Sequence, residues 1–137
     1  MTAEQVVEAY LNVALNMEKI EQKALLLDYA TGTLKDAIAG ASDETIRKAY
    51  LERRYTLKRF AIISRKDKTP RESEITYLLT YNELPEGVRD ESKAVTITTE
   101  NTVELVRENS LWYIRNVIGS ATSFDFPVSA VEKVTPN

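Results

Sequence analysis

Hydrophobic positions change their period once along this chain, and the change divides it into two parts. Val6, Val7, Tyr10, Leu11, Ala14 and Leu15 recur at helical spacing with Glu4, Glu8 and Asn12 between them, which predicts an amphipathic helix over about residues 3–18. A second apolar set, Ile20, Ala24 and Leu27, widened by Leu25, Leu26 and Tyr29, continues the helical layer to Thr31-Gly32, where Gly can take the left-handed conformation of a C-cap. "TLKDAIAG" adds one or two further turns. Ser42 then reads as an N-cap, with Asp43 and Glu44 in the first turn where the helix dipole favours acids. Ile46, Ala49 and Tyr50 give this third helix its buried side, to about residue 55.

Beyond Tyr55 the period is two. "TLKRFAIIS" and "SEITYLLTY" are strand-like runs joined by a polar connection holding Lys66, Asp67, Lys68 and Pro70. "ELPEGVRDES" is a loop. "AVTITT", "TVELVRE" and "LWYIRNVI" come next, divided by turns expected at Glu100-Asn101 and Asn109-Ser110. In the last run alternation puts Trp112, Ile114 and Ile118 on the face toward the helices, and Tyr113, Arg115 and Val117 on the other. The fold class is therefore α+β: three N-terminal helices packed on a curved antiparallel sheet of four to five strands. Residues 1–127 read as a single domain and 128–137 as a C-terminal tail with Pro136 near its end.

Composition removes whole classes of chemistry. The chain of 137 residues has no His and no Cys, so catalytic dyads and triads built on those side chains are excluded, as are disulfides and thiolate metal sites; no cofactor and no metal is expected. No apolar run approaches the roughly 18 residues that span a bilayer. The opening "MTAEQVVEAY" is acidic and amphipathic, unlike a signal peptide. The chain reads either as cytoplasmic or as the mature part of an exported periplasmic or cell-surface protein, a lipoprotein among them.

Charge is polarised along the chain. Between Arg47 and Arg71 ten basic residues face two acidic ones, a net +8, while the remainder carries −11, leaving −3 in all. Arg47, Lys48, Arg53, Arg54, Lys58 and Arg59 would suit an anionic partner such as a lipid headgroup surface or an acidic protein face. Nucleic acid fits poorly, because the block has few interleaved aromatics and the whole chain is acidic. The plainer reading is a solvated face whose bases pair with acids elsewhere. Glu72 with Glu74 and Asp90 with Glu91 read as solvated surface. Seven Tyr and one Trp are the remaining candidates. Tyr10, Tyr29, Tyr50, Tyr77, Tyr81 and Trp112 fall at expected buried or half-buried positions, either lining a cavity for a small apolar ligand or filling a core.

Three stretches, "AEQVVEAYLNVAL", "SDETIRKAYLERRY" and "TVELVRENSLWYIRNV", give the chain a family likeness over about residues 3–120. It resembles the nuclear transport factor 2-like superfamily, the cystatin-like α+β cone, with Ser110-Leu111-Trp112-Tyr113-Ile114 in place of the usual Gly-x-Trp-x-Ile and so with Ser where Gly is common. The resemblance implies a cone-shaped roll with a hollow at its wide end. Against the family's enzymes, the dehydratase pattern fails for want of His. The isomerase pattern can place Tyr10 and Asp36, but no Asp lies between Lys93 and Ser123, and Glu104 alternates outward. The resulting reading is the non-catalytic, bacterial-type branch: a ligand-binding or protein-association domain. Two alternatives stand beside it: a small-molecule enzyme with a Tyr/carboxylate site in the cone, and a homodimerisation module using the sheet face with Tyr113 and Val117.

Overall fold

The structure is a computed structural model describing residues 1–85 and 87–125; the expected tail, 128–137, lies outside the described residues. Helix α1 spans Ala3–Leu15. It starts where Thr2 accepts a hydrogen bond from the Gln5 backbone while the Gln5 side chain accepts one from the Thr2 N–H, a reciprocal capping box. A 3₁₀ turn, Ile20–Gln22, leads to α2 (Lys23–Leu27), then α3 (Gly32–Gly40) and α4 (Asp43–Ile46), which runs on as a π-helical turn, Arg47–Leu51. Ser42 caps α4 as expected, accepting from the Thr45 N–H. Strands β1 (Arg53–Thr69), β2 (Glu72–Pro85), β3 (Val95–Glu108) and β4 (Leu111–Asp125) form one antiparallel meander in sequence order. Among the described residues no helix is long and apolar enough to cross a membrane.

The core lies between the helical layer and one face of this sheet. Ala3, Val6, Val7 and Leu11 of α1 meet Ile75, Tyr77 and Leu79 of β2, Val103 and Leu105 of β3, and Ile114 of β4. Period-two burial along β2, with Ser73, Ile75, Tyr77 and Leu79 buried and their neighbours half-buried, sets that face. A second cluster, Ala14, Met17, Leu26, Ala30, Ile38 and Ile46, welds the helical segments to one another.

Four expectations need correction. No turn occurs at Glu100-Asn101: β3 passes straight through, with Glu100 opposite Leu78 and Asn101 opposite Tyr77. "AVTITT" and "TVELVRE" are therefore one strand, and among the described residues the sheet has four. The polar connection after Ser64 is mostly strand as well. Lys66 pairs with Glu74 and Asp67 with Ser73, whose hydroxyl donates to Asp67, so only Pro70-Arg71 turns. The second helical run breaks at 28–31, because this segment takes β partners: the Thr31 N–H donates to the Ile114 carbonyl and the Ile114 N–H to that of Tyr29. That contact covers part of the free edge of β4.

The fourth correction concerns β4 itself. Irregularities in register beside Ile118 and Arg115 break its alternation. Ile114 is buried as expected, but Ile118 is 45% exposed and Val117 47%. Val117 lies opposite Val103 and Tyr113 opposite Val106, so Tyr113 and Val117 do not form the single outward strip a sheet-face dimer would use. Arg115, displaced at one irregularity, reaches Glu104 at 2.6 Å and Glu72 at 3.4 Å. The outward direction expected for Glu104 thus receives a partner.

Candidate functional site

A hollow of about 210 Å³ opens between the C-terminal half of α1, the π-helical turn and the inner sheet face. Leu11, Ala14 and Leu15 come from α1 and Ala49 and Tyr50 from the π turn; Tyr55, Tyr77, Leu79, Tyr81, Thr99 and Asn101 come from the strands. Each has a local reason to be there. Tyr77, Leu79 and Tyr81 occupy inward positions of β2, and their β3 partners Asn101, Thr99 and Ile97 share that face. The π turn closes with the Glu52 N–H donating to the Arg47 carbonyl at 3.0 Å, and such turns are often found at functional sites. Tyr55, opposite Glu83 at the start of β1, donates its hydroxyl to the Ala49 carbonyl at 3.1 Å, tying strand to turn.

The walls are aromatic and neutral. Tyr55 and Tyr81 meet edge-to-face, with centroids 5.6 Å apart and planes at 76°. Tyr77 leans on Phe60 at 5.7 Å. Burial pushes the phenols of Tyr55 and Tyr77 up to about 12, with Glu83 adding to the rise at Tyr55. Tyr10 is driven higher still by burial and by the Tyr50 hydroxyl beside it. At neutral pH these groups are hydrogen-bonding phenols, not bases. Among the described residues none that lines the hollow is charged. The nearest acid acting on them, Glu83, is engaged by Arg53 at 2.8 Å. Asp36 is exposed on α3 and takes no part in the lining.

The structure brings Tyr50, Tyr77 and Tyr81 together at the hollow. Tyr10 stands behind that wall, packed into both apolar clusters. Tyr29 and Trp112 lie elsewhere. The Tyr29 carbonyl serves the β4 edge, and the Trp112 ring sits beneath the Arg65 guanidinium, 5.5 Å from its centroid, with Arg65 also paired to Glu4 and Asp67. Trp112 thus helps fasten α1 to the sheet. Tyr55, Thr99 and Asn101 join the site unannounced by any motif. Their signal was polar side chains at inward positions of strands, and the polarity of "TTENT" reads equally well as a turn.

The basic residues do not gather into one free surface. Seven of the ten in the block lie on β1, an edge strand. There, charge and irregular register discourage pairing with another chain. Of the six singled out, Lys48 pairs with Glu44 at 3.2 Å, Arg53 with Glu83 and Arg54 with Glu91 at 3.1 Å. Arg47 lines a groove with Glu18, Glu21 and Glu52. Lys58 falls at an irregularity in register, and Arg59 lies opposite Thr80. A wider cleft of about 580 Å³ adjoins the hollow, sharing Leu15 and Tyr55 with it and bordered by Arg53, Arg54, Arg89 and Glu18.

The phenols make a test of the wall. The unfolded chain releases phenolic protons near the ordinary value of 10.0, while Tyr55 and Tyr77 hold theirs to about 12 when folded. Between those values the native state binds more protons, so stability should fall as pH rises from about 10 to 12. Part of the tyrosinate absorbance should then appear only together with loss of the near-ultraviolet circular dichroism, and Tyr77→Phe should reduce the alkaline sensitivity. Full ionisation of the seven tyrosines in a native-like spectrum would contradict the burial described.

No protein-family model matches this sequence, and no curated protein matches it significantly. Among solved structures, the intermembrane space region of the chloroplast protein ARC6 superposes with a TM-score of 0.62 over 92% of this chain and 98% of that one, at 16% identity. The VirB8 protein of Agrobacterium tumefaciens gives 0.47 over 91% and 95%, at 17% identity. Helices laid on one face of a four-stranded antiparallel meander, together with the ARC6 superposition, give this chain the nuclear transport factor 2-like fold.

Proposed function

We propose that this is a binding domain without catalytic chemistry of its own, which takes a small, largely apolar group into the tyrosine-lined hollow. The observation that carries this reading is the lining itself. Its described residues are apolar or neutral polar, and burial raises the phenols of Tyr55 and Tyr77 to about 12. Acid–base catalysis needs a group that exchanges a proton near the working pH, and phenols raised to about 12 exchange none there. A volume of about 210 Å³ lies below the roughly 300–1,000 Å³ of sites for drug-sized ligands, so the hollow suits a compact group, free or borne by a partner protein.

The test is a heteronuclear NMR titration of the full chain with p-cresol. Saturable shifts should concentrate at Ala49, Thr99 and Asn101, and Ala49→Trp, which places an indole at the mouth, should abolish them. Shifts scattered over the surface, or unchanged by Ala49→Trp, would remove the reading.

A further inference from the structure

The walls of the hollow are more particular than an apolar group requires. Four of its lining residues are tyrosines drawn from three separate elements: Tyr50 from the π turn, Tyr55 from β1, and Tyr77 and Tyr81 from β2. Tyr55 and Tyr81 stand nearly perpendicular at 5.6 Å and form a corner. Aromatic rings carry negative potential on their faces, so a small space bounded by several of them attracts a cation even where no acid is present.

We propose that the hollow is an aromatic cage for a quaternary ammonium group. This inference rests on the binding-domain reading and names the ligand chemistry of that site. The choice of a fully alkylated cation comes from what the walls lack. A primary ammonium brings three N–H donors that each need an acceptor once water is stripped away. Among the described lining residues there is no carboxylate to match its charge, and the acceptors present, phenol and hydroxyl oxygens and the Asn101 amide oxygen, are all neutral. A quaternary ammonium has no N–H to lose, and its methyl shell packs against rings. The charges outside the hollow are largely paired: Glu83, opposite Tyr55, is met by Arg53 at 2.8 Å and Arg54 by Glu91, while Arg89 and Glu18 border the adjoining cleft, so attraction for a cation has to come from the rings. The compact volume suits such a headgroup.

Calorimetric titration of the full chain with choline and with neohexyl alcohol, its uncharged carbon isostere, decides the matter. The two differ in charge and hardly in shape. Choline should bind about tenfold more tightly, the ratio expected of a cation over desolvated rings. Tyr81→Phe should keep that preference within about threefold, whereas Tyr81→Leu should erase it. Equal or tighter binding of neohexyl alcohol overturns the cage and leaves the binding-domain reading intact. Silence from both ligands, with p-cresol also silent, overturns both. Where choline wins, comparison with free Nε-trimethyllysine tells a small-molecule headgroup from a modified side chain as the source.

Discussion

Leu105→Ala is expected to lower the free energy of unfolding by about 3 kcal/mol, within the roughly 2–5 kcal/mol found for large-to-small changes in cores. Leu105 is fully buried. It sits in the third strand of the meander, opposite Ser73 on one side and Ile114 on the other, beneath the first helix. Backbone ladders on both sides hold its Cα in place, so the space left by the missing carbons cannot close cheaply, and the loss has a transfer part and a cavity part. Against a total stability of about 5–15 kcal/mol, such a change would move the urea midpoint far. Ile118→Ala makes the contrast. Plain alternation along "LWYIRNVI" ranks Ile118 with Ile114 as core, but the irregular register leaves it 45% exposed, and its truncation should cost no more than about 0.5 kcal/mol. Equal losses at Leu105 and Ile118 would mean that the last strand is paired differently.

That contrast shows where sequence pattern carried and where it failed. The first helix was legible because apolar pairs, Val6-Val7, Tyr10-Leu11 and Ala14-Leu15, recur every four residues with polar ones between, and its burial is settled by that stripe. The second strand was legible because Ser73, Ile75, Tyr77 and Leu79 fall at strict intervals of two. Irregular register is silent in the pattern. One additional residue at Arg115 or Ile118 reverses the facing of every later position in the strand, and nothing in the identity of Asn116 or Val117 marks it. The hollow was half legible. Tyr50, Tyr77 and Tyr81 stood out, but Tyr55 did not, and Asn101 read as a turn with Thr99 ending the strand before it, because polar residues on the inner face of a strand and polar residues in a loop share the same composition. Tyr29 and Trp112 were grouped with the other aromatics by type, and only the register separates them from the cavity.

Gly32→Ala should destabilise the chain by about 2 kcal/mol, although residue 32 is exposed. Gly32 has φ of 55°, in the left-handed region. An L-residue there costs roughly 1–2 kcal/mol. The added Cβ would also lie 3.0 Å from Cγ of Arg115, closer than carbon atoms normally approach. Arg115 cannot step aside freely, because its guanidinium is engaged by Glu104 at 2.6 Å and Glu72 at 3.4 Å. The sequence marked Thr31-Gly32 as a place where the chain stops being helical and turns left-handed. The physical reason lies on the other side of the contact. The Tyr29 carbonyl accepts from the Ile114 N–H and the Thr31 N–H donates to the Ile114 carbonyl, and the chain must then reverse at once to begin the third helix without striking the side chain after Ile114. Gly40→Ala supplies the control within the same helix. A Cβ at residue 40 meets nothing within 4 Å, and its φ is not positive. That substitution should be neutral or stabilise by up to about 1 kcal/mol, by restricting the unfolded chain. Urea titrations of the two variants side by side should therefore move in opposite directions or leave Gly40→Ala unmoved. A Gly32→Ala variant as stable as the parent would mean that the junction between helical layer and last strand is not built as described, and the helices would then lose their anchor on the sheet edge.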